Sequence, residues 1–66
     1  MYAIRNKRTK RFVFGTDYRY HPHHQRTSEE KALIFENEIE ALWEYRHREC
    51  GKEYEIVPIR IEVLDD

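Results

Sequence analysis

One cysteine, Cys50, in a chain of 66 residues leaves no intramolecular disulfide and no Cys-rich zinc site to hold a fold together. A chain this short builds one small hydrophobic core, near the lower limit for folding without such staples. Residues 1–66 are therefore expected to form a single domain with no deep active-site cleft. The tyrosines, phenylalanines and aliphatics fall in ordered clusters, unlike the composition of a disordered chain. Met1 is not followed by an apolar h-region, and no apolar run approaches the roughly 20 residues that a membrane helix requires. The expectation is a protein neither exported nor membrane-spanning, and the lone thiol fits a reducing cytoplasm.

Charge is divided unevenly. From Met1 to Thr27 there are seven Lys/Arg against one acidic residue, Asp17; from Ser28 to Asp66 there are five against twelve. The near-neutral total of −1 hides two opposed fields. Such a chain either neutralises itself on folding or shows a basic face to an anionic partner.

Tyr2 to Asn6 and Arg11 to Thr16 alternate apolar and charged residues on either side of Lys7, Arg8, Thr9 and Lys10, the pattern of a β-hairpin. Period-two spacing puts Tyr2 with Ile4 on one face of the first strand and Phe12 with Phe14 on one face of the second. Gly15 weakens that strand and lets the chain turn. Tyr18 to Thr27, with two tyrosines, a proline, three histidines and two arginines, has neither apolar period and is expected to be an exposed aromatic and basic loop.

Two assignments compete for the next segment. Ala32, Phe35, Ile39, Leu42 and Trp43 have helical spacing, and Thr27 with Glu30 offers a capping box, which would give one helix from Ser28 to Cys50. Against this, Ala32 to Phe35 is a continuous apolar run, and Asn37 with Glu40 offers a second cap before a better amphipathic stretch. The preferred reading is a short third strand at Ala32–Phe35 and a helix from about Glu38 to Cys50, stopped by Gly51 and supported by a Glu44–Arg48 pair one turn apart. In the last segment Val57, Ile59, Ile61 and Val63 alternate with Ile56, Pro58, Arg60 and Glu62, so the first set is expected to be a buried face. Pro58 cannot donate a ladder hydrogen bond, which assigns this strand to an edge or a bulge. The sum is an α+β domain of order β-β-β-α-β, a curled antiparallel sheet with one helix packed across it.

No catalytic motif emerges. His21, His23 and His24 lie within four residues, but no recognised Cys/His spacing accompanies them, and the plain reading is a solvated loop with no metal and no cofactor. Protonation of this loop in mild acid would make the basic half more basic. His47 precedes Cys50 by three residues on the helix, in directions about 60° apart, and Cys is typically a small buried hydrophobe. The carboxylates are spread over a helix face and a strand rather than paired. The expectation is that the protein is not an enzyme.

Binding fits better. Arg5, Lys7, Arg8, Lys10, Arg11, Arg19 and Arg26 are interleaved with Tyr2, Tyr18 and Tyr20, a composition that grips phosphate and stacks on bases, although such a hairpin also serves to keep a sheet edge soluble. The pI of about 6.4 argues against nonspecific nucleic-acid affinity. Glu36, Glu38, Glu40 and Glu44 near the helix start form an acidic row, with Glu53, Glu55, Glu62, Asp65 and Asp66 elsewhere, that could substitute electrostatically for DNA in an enzyme's basic groove or simply be solvated. Arg46 falls within the apolar arc of Ile39, Leu42, Trp43 and Cys50, which is wider than one buried stripe requires. Core packing is the default for Ala41 and Leu42; Trp43 and Arg46 are the candidates for partner contact, including a homodimer through the helix or sheet edge.

The run Phe12-Val13-Phe14-Gly15-Thr16-Asp17-Tyr18-Arg19, with Gln25-Arg26-Thr27-Ser28 and Tyr54-Glu55-Ile56-Val57-Pro58, resembles small uncharacterised proteins of phages and prophages of Gram-positive bacteria. The resemblance implies a phage accessory protein acting in the host cytoplasm, a class that includes inhibitors of host enzymes and of CRISPR defence. It transfers no functional residue by position. The function expected is thus a non-enzymatic binding protein that engages a host protein or nucleoprotein through complementary charge and an aromatic anchor. The alternatives are a nucleic-acid-binding module using the basic hairpin and loop, and a virion or assembly component.

Overall fold

The computed structural model describes residues 1–60. Strands β1 (Tyr2–Asn6), β2 (Phe12–Asp17), β3 (His24–Ser28) and β4 (Tyr54–Pro58) form one open antiparallel sheet in the order β3-β2-β1-β4, and helix α1 (Glu38–His47) lies against it. This is the expected α+β architecture. Asn6 organises the first turn: its side-chain carbonyl accepts from the amides of Arg8 and Thr9, while Lys10, at φ 63°, turns the chain back into β2. β4 is an edge strand, as Pro58 requires.

The third strand is not where the apolar run suggested. It is His24–Ser28, inside the segment expected to be a loop, and it pairs with β2 from Phe12–Ser28 to Asp17–His24 around an irregularity at Val13/Gly15. Ala32–Phe35 instead lies between two strands. Beyond the Arg5–Phe12 pair β1 and β2 are no longer partners, and residues 33–35 enter the gap. The Leu33 amide donates to the Val13 carbonyl at 3.0 Å, and Phe35 exchanges two backbone hydrogen bonds, 2.8 and 2.9 Å, with Tyr2. The run expected to be the third strand therefore lies between two internal strands and forms a single bridge, Tyr2–Phe35, rather than a ladder.

The core is small, as the chain length dictates. Ile4, Val13, Phe35, Ala41 and Cys50 are buried together, with Tyr2, Leu33, Tyr45, Tyr54 and Ile56 packed around them. Val13, not the Phe12/Phe14 pair, is the β2 residue that faces the helix; Phe14 is exposed on the opposite side of the sheet. In β4 the burial departs from expectation. Ile56 pairs opposite Ile4 and packs on the core, whereas Val57, expected to be buried, is opposite Ala3 on the other face; both are half-buried. Ile61 and Val63, assigned to the same face as Val57, lie outside the described residues.

Helix α1 begins as expected. The Asn37 side chain accepts from the Glu40 amide at 2.8 Å, and Glu38 and Glu40 occupy the positive first turn. It ends three residues earlier than expected, because Arg48 leaves helical geometry and Glu49 takes φ 52°. Gly51, also left-handed at φ 74°, belongs to the turn that follows. Cys50 consequently reaches the core from beyond the helix end. Arg48 bonds back to Glu44 at 2.7 Å and reaches the Thr16 hydroxyl at 2.9 Å, which ties the helix end to β2.

Candidate functional site

Helix α1 turns its most apolar side outward. The face packed on the sheet runs through Ala41, Glu44, Tyr45 and Arg48, and Ala41 is its only buried residue. Ile39, Leu42, Trp43 and Arg46 have the i, i+3, i+4, i+7 spacing of a second stripe, roughly on the opposite side of the helix at 100° per residue. Ile39 is 72% exposed and Trp43 73%. Leu42, assigned to the core by default, is also exposed, so that expectation is corrected: the sheet side is filled by the smaller Ala41 and by Tyr45, whose hydroxyl donates to the carbonyls of Gly51 and Tyr54. Ile39, Leu42, Trp43, Arg46 and His47 together line an open apolar depression. Its ends differ in charge, with exposed Glu36, Glu38 and Glu40 at the N-terminal end and Arg46 and His47 at the C-terminal end. Glu44 does not join this row: it is half-buried and held by Arg48.

The basic half is largely neutralised within the fold. Arg5 donates through Nε and Nη2 to the Glu55 carboxylate at 3.0 and 2.9 Å, and Lys10 approaches the same carboxylate at 3.8 Å. Arg11 approaches Glu29 at 3.9 Å, and Arg19 forms a two-nitrogen pair with Asp17. The hydrogen bonds from Arg19 hold the Asp17 carboxyl well below the usual carboxylate range, and those from Arg5 lower Glu55 in the same way. Lys7, Arg8 and Arg26 are exposed without an ion pair among the described residues. The aromatic members are also occupied: Tyr20 stacks on His24 with centroids 4.1 Å apart, and Tyr18 meets His23 edge-on at 4.8 Å. The seven cations thus do not converge on one phosphate-binding surface.

Cys50 and His47 do not form a catalytic pair. Cys50 is packed among Ile4, Val13, Phe35 and Ala41, and burial pushes its thiol up to about 11, whereas His47 lies against Tyr18. The histidine loop is more ordered than its composition suggested. His21 and His23 converge on Glu49, with His23 Nε2 3.1 Å and His21 Nδ1 3.6 Å from the same carboxylate oxygen, while His24 points elsewhere to Tyr20. Glu49 carried no signal in the sequence, being one of many glutamates and 26 residues from His23. Only the turn at the end of α1 brings it there.

No protein-family model, curated protein or solved structure matches the chain.

Proposed function

We propose that the protein is a small non-enzymatic binding module whose outer α1 face, centred on Trp43, docks on a partner protein. The observation that carries this reading is the exposure of Ile39, Leu42 and Trp43 in one helical stripe while the opposite stripe serves the core. An exposed tryptophan flanked by an aliphatic pair and an arginine has the composition of an interface hot spot, where desolvation of a few large side chains supplies most of the affinity. Glu36 and Glu40 at one end and Arg46 at the other give the face a charge polarity that would set the orientation of a partner. The resemblance to phage accessory proteins suggests the class of partner: a host protein or nucleoprotein whose activity the module blocks, as host-enzyme or anti-CRISPR-like inhibitors do. Among the described residues no helix is long and apolar enough to cross a membrane.

The test is affinity capture from a bacterial lysate, with and without nuclease, by the wild-type protein, Trp43→Ala and Lys7→Ala/Arg8→Ala. We expect a specific protein that survives nuclease, is retained by the double variant and is lost with Trp43→Ala. Capture indifferent to Trp43→Ala would overturn the assignment. Loss with nuclease and with the double variant would move the function to nucleic acid, the reading for which Lys7, Arg8 and Arg26 remain available. Concentration-dependent self-association abolished by Trp43→Ala would instead assign the face to a second copy.

A further inference from the structure

At the opposite end of α1 from its acidic N-terminus, three metal-ligating side chains meet. His21, His23 and Glu49 each offer one ligand atom, and these atoms lie within 4.8 Å of one another. Tetrahedral coordination with metal–ligand bonds of about 2.0–2.1 Å sets neighbouring ligand atoms about 3.3 Å apart. The separations of 3.1 Å from His23 Nε2 and 3.6 Å from His21 Nδ1 to Glu49 Oε2 bracket that value, and the remaining pair, His21 and His23, lies within 4.8 Å, so the exposed His21 side chain must rotate inward to complete the site. A second feature concerns His23 alone. Its Nδ1 is 2.7 Å from the Tyr20 carbonyl, which can only accept, so Nδ1 carries a hydrogen and Nε2, on the side of Glu49, is the nitrogen an ion would bind. This is the outer-shell arrangement that fixes the tautomer and ring orientation of a metal-ligating histidine. The ring is further held edge-on by Tyr18, and its side chain is only 10% exposed. Glu49 is fixed by backbone rather than by packing, because the left-handed φ of 52° that ends the helix carries its side chain to the histidines.

We propose that His21, His23 and Glu49 form a binding site for one divalent late transition-metal ion, zinc in the first instance. Two imidazole nitrogens and one carboxylate oxygen suit zinc and its neighbours better than the all-oxygen preference of magnesium or calcium. His23 and Glu49 also border an open cleft with Gln25, Lys52 and Tyr54, so the fourth coordination position faces solvent and is available to water or to a ligand from another molecule. By bridging the His21–His23 segment and the turn after α1, the ion would tie the β2–β3 connection to the helix end. The site is separate from the Trp43 face and does not depend on what that face binds.

The experiment is titration of the full chain, free of any polyhistidine tag, with Zn²⁺ against a chromophoric chelator at pH 7.5, together with the visible spectrum of the Co²⁺ form. One equivalent is expected, with the intense d–d bands of a four-coordinate ion. A rise in Tm on the order of 10 °C is expected at a hundredfold excess over Kd. Glu49→Gln and His21→Gln alter exposed side chains and should keep the fold by circular dichroism while weakening affinity at least tenfold. His24→Gln, which removes a ring that lines the same cleft but is stacked on Tyr20 outside the ligand group, should bind as the wild type does. Wild-type affinity no tighter than that of Glu49→Gln, or six-coordinate weak cobalt bands, would overturn the site and leave the cluster a histidine–carboxylate ion pair.

Discussion

At the scale of single residues, size and structural importance part company. Trp43 is the largest side chain in the molecule, yet it is 73% exposed, whereas Ile4 is 1% exposed at the centre of the core. Replacing Ile4 by Ala removes buried methylenes from close-packed surroundings and leaves a cavity that Val13, Phe35 and Ala41 cannot fill, at a cost of about 2–5 kcal/mol. For a domain of this length, that is a large fraction of a total stability on the order of 3–10 kcal/mol. Trp43→Ala takes nothing from the core and should alter stability by less than about 0.5 kcal/mol. Urea denaturation of both variants checks the contrast: a Trp43→Ala variant as unstable as Ile4→Ala would show that Trp43 packs inside the fold and would remove the basis of the proposed docking face. Sequence reading set Trp43 apart as a candidate for partner contact because its arc was too wide for one buried stripe, and the side chain is exposed. It misassigned Leu42 because spacing alone does not say which of two overlapping stripes meets the sheet.

At the scale of elements, what was legible were the pieces with a strong local signal. β1, β2 and the start of α1 follow from alternation, from the polar turn at Lys7–Lys10 and from the Asn37 cap, all of which act within a few residues. β3 was not legible because His24-Gln25-Arg26-Thr27-Ser28 contains no apolar residue; as an edge strand it is held by its ladder to β2 and by the Thr16–Gln25 bond at 2.7 Å, neither of which leaves a periodic pattern. The end of α1 was missed because a glutamate rather than Gly51 takes the first left-handed position. The hairpin turn has a similar feature, and it is testable. Lys10 at φ 63° brings its Cβ against the backbone, a cost of roughly 1–2 kcal/mol for an L-residue, while glycine would remove that cost and give back part as unfolded-state entropy. Lys10→Gly should therefore gain about 0.5 kcal/mol, or a Tm rise of roughly 2–4 °C, even though it deletes the 3.8 Å approach to Glu55. Lys10→Ala, which keeps the Cβ, should show no gain. Equal Tm values for the two variants would mean that the turn is not strained at this position.

At the scale of the whole molecule, the two opposed charge fields meet in the sheet. Arg5 and Lys10 from the basic half converge on Glu55 from the acidic half because β1 and β4 are neighbours and place Arg5 opposite Glu55. Arg11 approaches Glu29 just beyond the Phe12–Ser28 end of the β2–β3 ladder. Of the two outcomes a split charge permits, internal neutralisation thus accounts for much of the basic surface, and the local Arg19–Asp17 pair accounts for more. This makes the pH response predictable in direction. Asp17 and Glu55 have folded-state pKa values depressed below their ordinary ones, by the hydrogen bonds of Arg19 and Arg5 respectively. Protons therefore bind the unfolded chain first, and the stability these carboxylates contribute is complete above their unfolded pKa values, near 4, and is lost as pH falls through the folded ones. Both pairs are solvent-screened, so each contribution is modest and sensitive to salt. The expected Tm profile is level through the mildly acidic range and falls below about pH 4.5, with 1 M NaCl weakening the dependence. Glu55→Gln should lower Tm at pH 7 and reduce the acid slope, because its partner strand then holds Arg5 with nothing ionised opposite it. A variant with the wild-type slope would show that Glu55 does not join the two charge fields, and the neutralisation would have to be sought in the Arg11–Glu29 and Arg19–Asp17 pairs alone.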